Sequence, residues 1–284
     1  MKKEIQRIVN AALREDHSQH DITTNTLVRR DQVSNATIVL KEPAVLCGMD
    51  LVTAVFRRLD PQVRIHVHQH DGAQLQRDTP VISLHGRTRA LLSGERTALN
   101  FISYLSGIAT LTNQFVQQVH GCPTKIMDTR KTMPGMRLLV KMAVRCGGGE
   151  NHRFNLKEMV MIKDNHIIAY ESDATIPDAI RHVRRKTKKI LVVEVDTLTQ
   201  FQQALEAKPD IIMLDNMNTA DMKKAVQINS DRGKPCLLEA SGGVTIANVR
   251  QIAELGIDRI SIGALTHSPR AIDFSMEFEF NPKK

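Results

Sequence analysis

The chain has 284 residues, 42% of them hydrophobic and 25% charged, with a formal net charge of +8. That length allows one large domain or two smaller ones, each with a substantial core. No stretch approaches the roughly 18 apolar residues of a membrane span. The opening Met1-Lys2-Lys3-Glu4-Ile5-Gln6-Arg7 has no apolar signal core, so a cytoplasmic protein is expected. Cys47, Cys122, Cys146 and Cys236 are far apart and form no CxxC, so free thiols are expected rather than a disulfide framework or a zinc site.

In chain order, Ile5, Ile8, Val9, Ala12 and Leu13 mark an amphipathic first helix. Ala36, Ile38 and Leu40 alternate as a strand, Met49 to Leu59 has helical spacing, and Val63, Ile65 and Val67 alternate again before an Asp71-Gly72 turn. A short strand is predicted over Val81 to Leu84. Two helices are predicted next, Thr88 to Tyr104 and Ser106 to His120, broken near Ser106-Gly107.

From Lys125 the texture changes. Strands are predicted at 125–128, 159–163, 190–195, 211–214, 236–239 and 259–262, with helices at 134–146, 176–186, 199–207, 219–228 and 245–255 between them. Six strands alternating with five helices imply a parallel sheet with crossover helices, either an incomplete barrel or an open doubly wound sheet. Pro134 suits a first helical position and Gly147 a helix end. Beyond His267, alternating Phe274, Met276, Phe278 and Phe280 read as a final strand returning to the first unit's sheet.

The predicted strand ends carry the chemistry. They release Asp128-Thr129-Arg130-Lys131, Lys163-Asp164-Asn165, Glu194, Asp215-Asn216, Glu239-Ala240-Ser241-Gly242-Gly243 and Gly263. In parallel α/β folds ligands bind at these carboxyl ends. Between Cys122 and Asn165 nine Lys/Arg stand against four Asp/Glu, at the edges of apolar runs, which suggests a pocket for a polyanionic small molecule. Arg matches a carboxylate as a fork, and Lys acts as a point charge. Arg96, Arg130 and Arg153 therefore suit rigid carboxylates, and Lys131 and Lys163 suit phosphate or pyrophosphate. Lys163 in its apolar run also suits a Schiff base. Ser241-Gly242-Gly243 before a predicted helix offers backbone N–H groups to phosphate. Glu194 and Asp215 suit ribose hydroxyls or Mg²⁺. The basic run 181–189 is read as a solvated helix face in preference to a nucleic-acid site, and Arg137, Lys141 and Arg145, at three- to four-residue spacing after Pro134, as one basic helix face in preference to groups that contact the ligand.

The segments Gly94 to Asn100, Ser106 to Thr110, Asp128 to Gly135, Gly147 to Arg153 and Met161 to Ile167 resemble the quinolinate phosphoribosyltransferase family. So do Glu194-Val195, Leu214 to Asn216, Glu239 to Val244 and Ile260 to His267. Met133 departs from the family's usual Thr. The resemblance implies an α/β protein: an N-terminal α/β sandwich (1–107 plus 268–284) and an irregular, incomplete β/α barrel of about six parallel strands (108–267). It implies transfer of phosphoribose from phosphoribosyl pyrophosphate (PRPP) to quinolinate with decarboxylation, giving nicotinate mononucleotide, pyrophosphate and CO2 for NAD biosynthesis.

Arg130, Lys131, His152, Arg153 and Lys163 are then the expected quinolinate set, with Arg96 entering from the partner of a homodimer; Thr129 is expected among the substrate-binding residues. Glu194 and Asp215 are expected at the ribose and at Mg²⁺ bound with PRPP. Ser241, Gly242 and Gly243, with Ile262, Gly263 and Ala264, are expected at the 5′-phosphate. Lys131, Lys163, Glu194 and Asp215 are the expected catalytic groups. No organic cofactor, nucleic acid or membrane is expected. The alternatives are a molybdenum-transport-associated relative using another acceptor, and an anion- or nucleic-acid-binding protein.

Overall fold

The computed structural model describes residues 2–170 and 175–279. In chain order it begins with α1 (Lys2–Glu15), α2 (Ile22–Leu27), β1 (Val33–Leu40), β2 (Ala44–Val45), α3 (Met49–Leu59), β3 (Arg64–Val67), β4 (Gln74–Leu75), β5 (Pro80–Arg87) and α4 (Thr88–Gln118). There follow β6 (Lys125–Met127), α5 (Arg137–Cys146), β7 (Val160–Ile162), α6 (Asp164–Tyr170), α7 (Ile176–Lys186), β8 (Leu191–Val195), α8 (Leu198–Glu206), β9 (Ile211–Asp215) and α9 (Thr219–Asp231). The last elements are β10 (Leu237–Ser241), α10 (Val249–Glu254), β11 (Arg259–Ser261), α11 (Ala264–His267) and β12 (Phe274–Glu279).

The chain divides into two units. One holds Met1–Leu111, Arg145–Gly148 and Pro269–Lys284; the other holds Thr112–Val144 and Gly149–Ser268. No helix among the described residues is long and apolar enough to cross a membrane.

In the first unit an antiparallel sheet runs β12-β1-β5-β3. The alternation read at the end of the chain sets its register, with Ala36 opposite Phe278, Ile38 opposite Met276 and Leu40 opposite Phe274. Alternate residues of paired strands share a face, so these apolar pairs stack on one side. Phe280 lies outside the described residues. The amphipathic α1 buries Ile5, Ile8, Val9 and Leu13 and packs against α3, which buries Leu51, Val52, Val55 and Phe56.

The predicted break at Ser106-Gly107 is corrected: α4 is one continuous helix. Ser106 is fully buried and its hydroxyl accepts from Cys47 N at 3.0 Å. A Cβ on Gly107 would lie 2.1 Å from the Arg270 carbonyl oxygen. Both residues mark close packing against the helix rather than its end.

In the second unit six parallel strands run β6-β11-β10-β9-β8-β7. Each strand from β7 to β11 neighbours the next in sequence, and the first strand, β6, lies beside the last. A doubly wound sheet reverses its strand order at an interior switch point; here the order runs round, as in a barrel left open between its first and second strands. Beside β6, Glu150 pairs with Met127, so the segment after α5 covers that strand's open edge.

Strand interiors such as Val192, Val193, Ile212 and Leu214 are fully buried, as continuous apolar runs in a two-sided sheet require. The helix predicted from Pro134 begins at Arg137, because Pro134 and Gly135 form a turn in which Gly135 has φ 80°. The short helices α2, α6 and α11 were not predicted.

Candidate active site

The polar strand ends of the second unit converge. Asp128, Thr129, Arg130, Lys131, His152, Arg153, Met161, Lys163, Glu194, Met213, Asp215, Ser241 and Ser261 line one cavity of about 370 Å³. Each comes from the carboxyl end of a strand, from within β7, β9 or β11, or from the 150–153 segment beside β6. The parallel register makes this convergence unavoidable: Ser241 lies opposite both Asp215 and Ser261, and Met213 lies opposite Glu194.

The cationic wall rests on a buried ion pair. Lys141 Nζ donates to Asp128 Oδ1 at 2.5 Å and to the His152 carbonyl at 2.8 Å. Asp128 also accepts from His152 N at 2.8 Å and from Asn151 Nδ2 at 2.7 Å. Burial raises the Asp128 pKa and lowers that of Lys141, and each opposes the shift by favouring the other's charged form. This corrects the reading of Arg137, Lys141 and Arg145 as one basic helix face. Lys141 is 3% exposed. Arg137 donates to Thr132 Oγ1, the Phe154 carbonyl and the Arg130 carbonyl, clamping the loop on which Arg130 sits. Of the three, Arg145 is the exposed one.

Arg153 N donates to His152 Nδ1 at 2.8 Å, so the ring proton belongs on Nε2. Nε2 lies 3.3 Å from Glu239 Oε1 but makes no hydrogen bond there. Glu239 is fully buried on β10 and accepts from Ser261 Oγ, while its Oε2 has no partner. The Arg153 guanidinium is anchored by the Met159 carbonyl at 3.1 Å. Burial, then the neighbouring Arg130 cation, lowers the Arg153 pKa. Arg130 Nε is buried without a partner. Two guanidinium groups close enough to repel, one with an unsatisfied donor, suit a ligand with two fixed carboxylates.

Lys163 Nζ pairs with Glu194 Oε2. Glu194 and Asp215 line the cationic cavity and also a second hollow of about 470 Å³ walled by Asp164, Asp196 and Gln200, among others, with no Lys or Arg among the described residues of its lining. The two carboxylates thus stand on the border between a cationic and an acidic space. Mg²⁺ is held by one or two carboxylates together with substrate phosphates rather than by an all-protein cage. The pair at this border fits that pattern, and no cluster of three candidate metal ligands occurs here among the described residues.

The glycine loops behave differently from one another. Gly242 and Gly243 have φ of 87° and 61°, and a Cβ on Gly242 would meet Asn216 Oδ1 at 2.1 Å. The predicted helix directly after this loop is corrected: α10 starts only at Val249, so no helix dipole reaches Gly243. By contrast, Ile262 continues β11 by donating to Met127 O, and Gly263 then caps α11 directly before Ala264. A Cβ on Gly263 would lie 3.4 Å from Lys131 Cδ, so the Lys131 stem passes close to this loop. Thr129 Oγ1 accepts from Lys131 N and contacts Thr266 Oγ1 at 3.0 Å, tying the Lys131 loop to α11.

Arg96 is not among the cavity residues; in the first unit it lines a separate hollow with Glu15, Asp16 and Asn100. Met133 is exposed and does not line the cavity. The sequence analysis gives no site role to Lys141, to Glu239 at its strand end, or to Ser261. An Asp at a strand end with a Lys inside an apolar helical pattern was the available signal for the first, and an acid amid Leu237, Leu238 and Ala240 for the second.

Residues 108–277 match the family model described as quinolinate phosphoribosyl transferase, C-terminal domain, and residues 21–106 match its N-terminal domain. The chain belongs to the quinolinate phosphoribosyltransferase family. It is 40% identical over 260 residues to a nicotinate-nucleotide pyrophosphorylase (carboxylating) of Mycobacterium leprae, covering 90% of each chain. Its fold superposes on the nicotinate-nucleotide pyrophosphorylase of Francisella tularensis with a TM-score of 0.91 and 38% identity, covering 98% of this chain and 97% of that one. The enzyme of that name from Ehrlichia chaffeensis gives 0.90 at 39% identity, covering 96% of this chain and 98% of that one.

Proposed function

We propose that this chain transfers phosphoribose from PRPP to quinolinate and releases pyrophosphate and CO2, leaving nicotinate mononucleotide. One observation carries the reading: Arg130, Lys131, Arg153 and Lys163 share a cavity with Glu194 and Asp215 at the strand ends. Quinolinate is a dianion and PRPP carries several negative charges, so the two repel unless cations stand between them.

In this reading Arg130 and Arg153 hold the two carboxylates, with Thr129 and His152 beside them. The unpartnered Arg130 Nε finds its acceptor there. Lys131 and Lys163 face the pyrophosphate. Glu194 and Asp215 bind the ribose hydroxyls and stabilise positive charge developing at the sugar C1. The pyridine nitrogen attacks C1 as pyrophosphate departs. The positive ring nitrogen stabilises the carbanion left at C2 when the 2-carboxylate leaves as CO2, and a proton from water then fills that position to give nicotinate mononucleotide. Mg²⁺ bound with PRPP would neutralise the diphosphate, with Glu194 and Asp215 as its protein ligands. No organic cofactor enters this scheme. Gly242, Gly243, Gly263 and Ala264 hold the 5′-phosphate through backbone N–H groups, with Ser241 and Ile262 setting the ends of β10 and β11 from which the two loops leave; the Ile262 N–H itself is engaged with Met127 O. Every group acts by position and charge, with no covalent enzyme intermediate.

The same reading includes a homodimer in which Arg96 serves the partner's cavity, and a cytoplasmic location that fractionation checks. The test is an assay with PRPP, quinolinate and Mg²⁺, following CO2 and nicotinate mononucleotide, with nicotinate as the comparison acceptor. Formation of both products from quinolinate is expected. Turnover of another acceptor with none of quinolinate overturns the reading.

A further inference from the structure

The first unit contains a chemically distinct cluster that the proposed reaction does not use. Cys47 and Cys146 are 99 residues apart, yet their Sγ atoms lie 3.3 Å from each other. Cys47 is fully buried in the loop between β2 and α3. Its N–H donates to Ser106 Oγ, and that hydroxyl donates back to the Cys47 carbonyl at 3.2 Å. Cys146 is the last residue of α5, partly exposed, and leads into Gly147-Gly148, where Gly148 has φ 87°. One sulfur is therefore fixed and enclosed; the other is partly accessible at the helix end.

We infer that Cys47 and Cys146 are an oxidisable dithiol, in which Cys146 reacts with a peroxide and Cys47 resolves the product as a disulfide. The Cys47 S–H donates to Cys146 Sγ, which favours the thiolate of Cys146; that hydrogen bond lowers its pKa, and the Arg145 charge adds to the effect against burial and Asp71. The same hydrogen bond, then burial, raises that of Cys47. The Cys146 thiolate attacks one peroxide oxygen, the O–O bond breaks, and the departing hydroxide or alkoxide takes a proton to leave as water or alcohol. Cys146 is then a sulfenic acid. Cys47 gives up its proton and attacks Cys146 Sγ, forming the S–S bond and expelling hydroxide, which that proton converts to water. For hydrogen peroxide, two thiols and one peroxide give one disulfide and two waters. The sulfurs need to close from 3.3 Å to about 2.05 Å.

A metal site is the competing use, since a carboxylate oxygen of Asp71 and the two sulfurs all lie within 4.8 Å of one another. Two thiolates on a tetrahedral zinc, each bonded at about 2.3 Å, sit about 3.8 Å apart, wider than this pair. Asp71 Oδ1 is already engaged, accepting from Gly48 N at 2.9 Å and Met49 N at 3.1 Å.

The test treats the full-length protein with hydrogen peroxide and maps its peptides without reduction. The expected product is a Cys47–Cys146 linked peptide two hydrogens lighter than its parts and released by dithiothreitol. Cys47→Ser should lose the link and leave a sulfenic acid on Cys146 that dimedone traps. Cys146→Ser should lose both. Links to Cys122 or Cys236, sulfinic acid on wild-type Cys146 without a link, or one zinc ion per chain that shields both thiols would overturn the assignment. The wild-type map alone decides the matter if a variant fails to fold.

Discussion

The two units treat buried charge in opposite ways. In the first, Asp60 is 3% exposed and fully used: it accepts from Arg87 N at 2.9 Å and Gln62 N at 3.2 Å and pairs with the Arg87 guanidinium at 3.2 Å. Burial alone would raise its pKa, but these contacts together lower it. In the second unit, Arg130 Nε, His152 Nε2 and Glu239 Oε2 are buried without partners at or beneath one cavity. An unmade buried hydrogen bond costs about 1–3 kcal/mol. Structural charge is satisfied in place, and functional charge is held ready for a ligand. Asp128 shows both uses, since its satisfied network with Lys141 supports the unsatisfied wall above it.

The contrast breaks most visibly at Lys163. Lys163→Met removes a cation facing the proposed pyrophosphate and leaves Glu194 unpaired. A loss of about 10²–10³-fold in kcat is expected, with the fold intact by circular dichroism. A loss below tenfold would show that the Lys163–Glu194 pair is structural. Arg153→Ala sharpens the same point, because it should raise KM for quinolinate by about 10–100-fold and leave KM for PRPP nearly unchanged. A reversed pattern would exchange the two subsites.

The satisfied side of the comparison is tested at Lys141. Lys141→Met strands the Asp128 carboxylate in the interior, at an expected cost of about 3–5 kcal/mol in urea unfolding. Asp128→Asn combined with Lys141→Met removes both charges and should recover much of that loss. A double variant as unstable as the single one would mean that the Asn151 and His152 bonds to Asp128, not the ion pair, set the stability.

Much of this arrangement was legible in the sequence, because it depends on local pattern. The six strands follow from short apolar runs between helical ones, and their polar last residues mark the mouth of the sheet. The barrel order was legible only through the family resemblance: it depends on β6 lying beside β11, a pairing across more than a hundred residues that periodicity does not encode. Lys141 was misread for a related reason. Its spacing with Arg137 and Arg145 suggests one basic helix face, but a buried partner 13 positions away outweighs the helical pattern. Ser106-Gly107 looked like a break because Ser and Gly weaken helices locally; the sequence could not show that Arg270 packs there. Cys47 and Cys146 were read as isolated thiols, since only the fold brings them together.

The smallest effect is expected on the basic run of α7, where charge is abundant but neither buried nor aimed into either cavity. Arg185, Lys186 and Lys188 are exposed. Nearby, Arg181 pairs with Asp178 and Arg184 with Asp210, which already places part of the run's charge in local ion pairs. Replacing Arg185, Lys186 and Lys188 together with Ala should change stability by no more than about 0.5 kcal/mol per site and leave kcat and both KM values unchanged. A fall in activity would extend the functional charge to α7. Salt-sensitive oligonucleotide binding by the wild type, lost in the triple variant and not displaced by quinolinate, would give this face a partner of its own.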